Sequence, residues 1–576
     1  MNFDKVQRYK AAGGRIPNKQ YAWPLYGPGL ANLGKNAAPI VTDVPAFTET
    51  ELLVRIDAVS LCYTDLKEID QAQNHPRLKG RDLEQNPIVP GHEVSMTVVG
   101  VGARLAGEYK VGDRYTLQPD VWVDGKSIPF CFGMDGGYRQ YAKIGSEILH
   151  GDAGNYLIPI PDEMTYSASA ITEPWACVEA AYRMGYRQTL KPGGSVLVWG
   201  CEGSRQGYHL DEAWVQAAAP GEFVLCDVPA GLQAEITALC GRNHIDCVQR
   251  ARQEIFAGEA GYDDLLLLDL PAQAVTTAGA HMKNEAVLAV LSGAAATGPV
   301  EIDLGRLHYD AILYTGATAL EIREAYQATT ARSEFKPGGT AWILGAGGPM
   351  GRMHLQRAIE STRGPSRILA TEVSPVRLNS LSEFFVPLAG QHHKELILVN
   401  PVEEKDQFAA IMEKLMQQGG VDDVEVMVTF PELVVEACAY VAPQGVVNLF
   451  AGMKRGVKAC VPAELFYGPQ QVRFVGHSGS GLDDQKAVVE RASTGQLKPQ
   501  LSVAAVGGLC QIHAGVEAMK NSLYPGKIVI YPQVFDFPLT GLKQMKEALP
   551  EVYAALGHNE TWSLQAETIF LEKELN

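Results

Sequence analysis

The sequence predicts an α/β protein with a β-rich leading domain, two doubly wound domains in tandem, and a short return to the first. Three observations predict it. An apolar run at 340–344, a glycine turn at 345–351 and a helical segment at 352–361 follow one another as strand, turn and helix. The same pattern lies 145 positions earlier, where Leu190-Lys191-Pro192-Gly193-Gly194-Ser195 mirrors Phe335-Lys336-Pro337-Gly338-Gly339-Thr340. The leading part reads instead as short strands, with residues 51–60 alternating like a half-buried strand and 94–101 forming another.

The 576 residues exceed one ordinary domain, and an apolar fraction of 46% suffices for several cores. A net charge of −17 argues against a general nucleic-acid or membrane surface, while leaving room for a local basic cleft. The opening residues do not read as a secretory leader, and no apolar run approaches twenty residues, so a cytoplasmic location is expected. Ten cysteines without CxxC spacing argue against both a disulfide framework and a cysteine-rich zinc knot.

Residues 1–50 are turn-rich and carry no nameable chemistry. The strand at 51–60 ends at Leu61-Cys62-Tyr63-Thr64-Asp65, and Pro90-Gly91-His92-Glu93 precedes the strand at 94–101. Ile171-Thr172-Glu173-Pro174-Trp175 opens a helical stretch through Ala181. Thiolate, imidazole and carboxylate are the groups that hold a catalytic Zn²⁺, which takes about three protein ligands and keeps one position open. Cys62, His92, Glu93 and Glu173 offer such a set. Each also has a plain structural reading: a core thiol, a turn histidine, an acid favoured at a helix N-terminus.

In the glycine turn, Gly345, Gly347, Gly348 and Gly351 match both a GxG and a GxxGxxG spacing. Glycines there admit a pyrophosphate to the backbone, and the following helix offers free N–H groups to the anion. The next strand, 367–371, ends on Glu372, 27 residues beyond Gly345. An acid there accepts hydrogen bonds from an adenosine ribose and repels a 2′-phosphate, favouring NAD over NADP. Candidate cofactor-binding residues are Gly345, Gly347, Gly348, Pro349, Met350, Gly351, Glu372 and Arg377.

The earlier copy has Asp227 in place of Glu372, but Glu202 would set a negative charge beside a diphosphate, and Gln206 stands opposite Gly351. It reads as a copy that does not hold NAD productively. The parallel continues, since Tyr262-Asp263-Asp264-Leu265 resembles Val421-Asp422-Asp423-Val424, and each copy runs through a helix to a further Lys-Pro. Pairing of the strands near 311–316 and 471–476 inside one chain would imitate a dimer.

CYTD, PGHE, GDRYTLQPD, GGYRQYA, TEPWACVEAAYR and KPGG, in this order, resemble the medium-chain dehydrogenase/reductase superfamily of zinc-dependent alcohol and polyol dehydrogenases. The resemblance implies a GroES-like zinc domain at 1–187 and an NAD-binding Rossmann domain at 336–497, and the internal repeat adds a degenerate Rossmann-like domain at 188–335 that the family plan does not require. A return segment at 498–535 and a tail at 536–576, with a surface helix over 542–556, complete the chain. By the same resemblance, Cys62 and His92 map onto zinc ligands, and Glu93 and Glu173 onto acids that ligate the metal or hold its water. Thr64 maps onto the hydroxyl that passes the substrate proton. Between Gln118 and Gly137 only Cys131 remains of a four-cysteine lobe, so one catalytic and no structural zinc is expected. Lys67 stands where many relatives carry the histidine that ends the proton relay.

The closest resemblance is to the polyol and sugar-phosphate branch that includes L-sorbose-1-phosphate reductases. It implies a zinc- and NAD-linked interconversion of a secondary alcohol and a ketone in a polyol, sugar or sugar phosphate. An NAD-recycling epimerase or lyase and a non-catalytic NAD-binding regulator remain as alternatives. The partner is a small molecule, without nucleic acid or membrane, and the chain is a monomer with an internal pseudo-dimer or a homodimer. Arg114, Arg139 and Lys143 are available to a substrate phosphate but read as solvated surface charges.

Overall fold

A computed structural model describes residues 3–183, 187–257, 261–327 and 334–575. It divides into two compact units, one of residues 1–179 with 479–576 and the other of 180–478. Among the described residues no helix is long and apolar enough to cross a membrane.

The first unit is built on an eight-stranded sheet. Its strands are β1 (Leu52–Ser60), β2 (Glu93–Val101), β3 (Arg114–Leu117), β4 (Tyr141–Ile144) and β5 (Leu157–Pro159), joined much later in the chain by three more. The expected half-buried pattern of β1 is overturned, because all nine of its residues are buried. Its polar residues are covered by helix α1 (Asp4–Ala11): the Arg55 guanidinium lies 3.4 Å over the Tyr9 ring and donates to Asp57 Oδ1 at 2.7 Å. Burial of a charge is tolerated only with such pairing. Helix α2 (Tyr63–Gln71) follows β1 directly.

Helix α3 (Tyr166–Arg183) starts five residues before the sequence suggests and contains Pro174 in its interior. Glu173 is therefore a mid-helix residue and not a first-turn acid. In the second unit, the first six strands are β6 (Ser195–Trp199), β7 (Glu222–Cys226), β8 (Asp246–Gln249), β9 (Tyr262–Leu268), β10 (Met282–Leu291) and β11 (Leu313–Ala317). Six more follow: β12 (Thr340–Leu344), β13 (Arg367–Thr371), β14 (Glu395–Val399), β15 (Val421–Val426), β16 (Val441–Leu449) and β17 (Arg473–Gly476). They form one twelve-stranded sheet in the order β8-β7-β6-β9-β10-β11-β17-β16-β15-β12-β13-β14.

Each run of six has the order 3-2-1-4-5-6 of a dinucleotide-binding sheet, all parallel within itself. The runs meet through one antiparallel contact, Tyr314 opposite Phe474 on β11 and β17. Small details recur in both. The register shifts between Tyr262 and Asp264 in one and between Val421 and Asp423 in the other. Asp263 Oδ2 accepts from the Ser195 N–H, and Asp422 Oδ2 accepts from the Thr340 N–H, each at 2.9 Å. The helix expected before Lys336 is a short 3₁₀ turn, Ile322–Tyr326, and positions 328–333 lie outside the described residues.

The chain then returns to the first unit through β18 (Val503–Gly508), β19 (Lys527–Tyr531) and β20 (Thr540–Gly541), giving the order β20-β18-β19-β1-β2-β3-β5, with β4 also on β1. Strand β19 pairs antiparallel with the end of β1, Ile530 against Val59 and Val529 against Ser60. The tail departs from expectation. Pro550 breaks the helix expected over 542–556 into short turns, since proline cannot donate within a helix. The long tail helix is α7 (Leu564–Glu574), and Trp562 and Phe570 are buried, so the tail belongs to the core.

Candidate functional site

Cys62 is the N-cap of α2, and His92 and Glu93 enter β2 from the turn at Gly91. Gly91 has φ +94°, and a Cβ there would stand 2.4 Å from the Tyr138 ring, so only glycine makes this turn. The result is a cluster in which one ligand atom each of Cys62, His92 and Glu93 lies within 4.8 Å of the others. Glu93 is wholly buried, with Oε1 held at 2.6 Å by the Lys527 ammonium, while Oε2 has no hydrogen-bond partner among the described residues. A buried carboxylate oxygen without a partner is costly, and a cation in the cluster would satisfy it. The sulfur, nitrogen and oxygen donors suit zinc.

The second layer is as specific. Asp65 Oδ1 lies 3.0 Å from His92 Nδ1, leaving Nε2 as the free ring nitrogen, and Asp65 Oδ2 accepts from the Cys62 N–H at 2.8 Å and the Tyr138 hydroxyl at 2.7 Å. One carboxylate thus orients both the thiol-bearing residue and the imidazole. Burial works to lower the His92 imidazole, but the Asp65 carboxylate and then Cys62 outweigh it and hold its pKa well above the ordinary value. Burial also opposes the Lys527 charge, yet Glu93 keeps that ammonium above its usual range. Burial, with Glu93 adding to it against His92, pushes the Glu173 carboxyl up to about 7.

Glu173 stands outside the cluster among the described residues. It is 8% exposed, and its Oε1 accepts from the Cys177 thiol at 3.7 Å. Thr64 is half-buried in the first turn of α2, its N–H on Cys62 Sγ at 3.4 Å, and Lys67 is exposed. Cys131 is buried 3.9 Å from His92 Nδ1, on the side Asp65 already occupies. The reading of Arg114 and Arg139 as solvated charges is overturned. Arg114 is buried and donates to the carbonyls of Pro161, Asp162 and Met164, and Arg139 is buried against Asp135. Lys143 is half-exposed and pairs with Glu51.

Asp65 was within the quoted motif but had no role assigned. Lys527 was missed, although a lone lysine at the head of an apolar strand, Ile528-Val529-Ile530, was a usable signal.

In the second unit, the loop 345–348 runs from β12 into helix α5 (Pro349–Glu360), where α4 is the first-half helix Glu212–Ala218. Gly348 is the N-cap of α5, and Pro349 and Met350 begin it. The steric demands fall on three glycines. Gly345 has φ +86°, a Cβ on Gly347 would meet Glu372 Oε2 at 2.1 Å, and one on Gly351 would meet the Gly345 carbonyl at 2.6 Å. A Cβ on Gly348 meets nothing, so the constrained spacing is 345, 347, 351 and not the even triplet. Glu372 is buried at the end of β13, accepting from the N–H groups of Gly347 and Ser374 at 2.9 Å each. Arg377 lies half-buried in the first turn of α6 (Pro375–Gln391), its N–H on Ser374 Oγ.

The corresponding turn of the first half is filled by its own side chain. No helix follows Gly200 directly, since α4 begins at Glu212. Arg205 instead turns inward: its N–H reaches Asp269 Oδ2 at 2.9 Å, its Nε Asp269 Oδ1 at 3.0 Å, and its Nη1 the Thr318 carbonyl at 2.9 Å. Tyr208 closes the set, donating to Asp269 at 2.8 Å.

Residues 48–151 match the family model described as the alcohol dehydrogenase GroES-like domain. The mannitol-1-phosphate 5-dehydrogenase of Aliivibrio fischeri is 31% identical over 544 residues, covering 92% of this chain and 93% of that protein. The chain belongs to the medium-chain dehydrogenase/reductase superfamily. An alignment with that coverage runs through both halves of the twelve-stranded sheet. Within the superfamily, the L-sorbose 1-phosphate reductase of Klebsiella pneumoniae is 24% identical over 275 residues, covering 43% of this chain and 64% of its own. The uncharacterized protein YggP of Escherichia coli is 26% identical over 328 residues, covering 52% and 75%.

Proposed function

We propose that the chain is a zinc-dependent, NAD-linked dehydrogenase that interconverts a secondary alcohol and a ketone in a polyol phosphate or sugar phosphate. The supporting observation is the Cys62, His92 and Glu93 cluster, with Cys62 half-buried, the other two buried and one Glu93 oxygen unpartnered among the described residues, in a chain of this superfamily. The substrate class rests on the names of the relatives, a mannitol-1-phosphate and a sorbose 1-phosphate enzyme.

Cys62, His92 and Glu93 would hold one Zn²⁺, with Glu173 as the alternative carboxylate, and Gly345 to Gly351 with Glu372 would hold NAD. Zinc supplies Lewis acidity toward the alcohol oxygen when bound, and NAD supplies the hydride acceptor. The chain does the rest. Asp65 keeps His92 in one tautomer and orientation, and Lys527 keeps one Glu93 oxygen turned away from the ligand position. The Thr64 hydroxyl, two residues beyond Cys62, would take the alcohol proton. The N-terminus of α5, with its free N–H groups, would hold the diphosphate. Glu372, tied to Gly347 and Ser374, accepts from the adenosine ribose and repels a 2′-phosphate. The two six-stranded halves are copies of one nucleotide domain, and the first, filled by Arg205, takes no dinucleotide.

Metal analysis of the purified chain, with NADH absorbance on mannitol 1-phosphate, sorbitol 6-phosphate and their unphosphorylated polyols, tests the reading. The expected result is one zinc per chain and net NADH formation on a phosphorylated substrate. Full turnover after complete metal removal contradicts the mechanism. Product without net NADH favours the recycling epimerase or lyase.

A further inference from the structure

The tail helix α7 delivers one buried acid to a place the sequence does not foreshadow. Glu567 is 2% exposed and, among the described residues, faces no cation within hydrogen-bonding distance; five donors converge on its carboxylate. Three belong to the start of α3: the Tyr166 N–H at 2.6 Å, the Ser167 N–H at 3.0 Å and the Ser167 hydroxyl at 2.8 Å. The Tyr531 hydroxyl donates at 2.7 Å and the Trp562 indole at 3.4 Å. Together with Thr165 Oγ1, which accepts from the Ala168 N–H at 3.0 Å, the acid caps α3, and it meets the positive end of that helix.

Both elements it joins lead to the metal-ligand cluster. Ser167 is followed by Glu173 on α3, about 9 Å along the axis at 1.5 Å per residue. Ahead of Ser167 the lead-in is held by Arg114, which donates to the Met164 carbonyl and whose guanidinium lies 4.3 Å over the Tyr166 ring. Pro174 removes one rung of the helix hydrogen bonding, so the direction of Glu173 depends on how firmly the first turns are fixed. Tyr531 and Lys527 lie on one face of β19, by the two-residue period of a strand. Lys527 holds Glu93, and the Ile528 carbonyl accepts from the Leu61 N–H immediately before Cys62.

We infer that Glu567 is a positioning residue for the metal-ligand cluster, tying α3 and β19 together so that Glu173, Glu93 and Cys62 keep a fixed mutual arrangement. The inference rests on the metal reading above. It makes the C-terminal tail part of the catalytic unit.

The test uses the full chain loaded with Co²⁺ in place of Zn²⁺, in which the visible bands report ligand geometry at Cys62. Glu567→Gln keeps the shape but turns a donor toward donors; Tyr531→Phe removes only the link to β19. The expected result is a shifted visible spectrum in both variants, with zinc affinity, measured against a chelator, lowered about tenfold or more in Glu567→Gln, in the range that outer-sphere partners show. NAD binding by the second unit should stay within about twofold of the parent. Unchanged spectra and zinc affinity in variants that only melt earlier would overturn the inference and leave the tail a purely structural clamp. Should Glu567→Gln fail to fold, Tyr531→Phe alone decides by its spectrum. A parent chain that takes up no cobalt refutes the metal reading itself, whereas a loaded parent with unaltered variants refutes only the positioning role.

Discussion

Lys527 shows why part of the site was hidden in the sequence. Its partner Glu93 is 434 positions away, and both side chains are under 5% exposed. Cys62, His92 and Glu93 were legible because each sits in a short motif beside a turn whose geometry is local. Lys527 depends on β19 docking against β1, which no local pattern reveals. Removing one member of such a buried pair leaves the other charge without compensation. Lys527→Met should therefore cost the metal-free protein about 3–5 kcal/mol, read from urea unfolding of the first unit. Zinc should recover part of that loss, because a cation then faces the Glu93 carboxylate; an equal loss with and without zinc would show that Glu93 does not face the metal. At the loop 345–348, Gly347→Ala would force its methyl into Glu372 Oε2 and displace the carboxylate. NAD should bind about tenfold more weakly, roughly 1.4 kcal/mol, as measured by calorimetry, with zinc content unchanged.

Among elements, the glycine turn and its neighbours were the most readable, because strand, turn and helix follow one another without a long-range partner. The same logic failed for α3, whose first turn is held by Glu567 from the tail as well as by Thr165, and for the tail itself, where Pro550 interrupts the expected helix and the long one lies at 564–574. The first half of the sheet also shows the limit of sequence comparison. Glu202 and Gln206 mark its turn as unlike that of the second half, but Arg205 fills it, through an aspartate 64 positions onward. Equilibrium binding should accordingly give one NAD per chain. Arg205→Ala should leave that number unchanged and destabilise the first half, since Asp269 loses its charged partner; a second NAD in the variant would show that the arginine alone excludes it. Asp263, which links β9 to the start of β6, adds an acid limit to the same half. Burial opposes its charge, but the Ser195 N–H with Lys283 and Lys191 outweighs burial and brings the carboxyl down to about 2 from its ordinary 3.8. A folded-state pKa below the unfolded one gives stability that is present above about pH 4 and lost as pH falls toward 2. Asp263→Asn should flatten the acid limb of the unfolding curve over that interval.

For the molecule as a whole, the decisive feature is how the twelve-stranded sheet spends its edges. In a sheet of order 3-2-1-4-5-6 the sixth strand is an open edge, and an open edge invites a partner. Here the sixth strand of each half, β11 and β17, is covered by the other through Tyr314 and Phe474, so the face that would recruit a second chain is consumed internally. A separate antiparallel pair, Pro299–Asp303 with Lys458–Pro462, closes the same junction, with the Lys458 ammonium 2.6 Å from Glu301. The two outer edges are blunted. Strand β8 exposes Asp246 and Gln249, and β14 opens on an exposed Glu395 engaged by Arg367. The chain should therefore be a monomer in solution, with the association that two chains would otherwise supply built into one. Light scattering on a size-exclusion column should give the mass of a single chain across a hundredfold range of concentration. Replacing Phe474, which is wholly buried at the junction, by aspartate should loosen the halves and cost about 3 kcal/mol or more. A stable dimer of the parent, dissociated by that substitution, would mean that the β11 and β17 edges pair between chains instead.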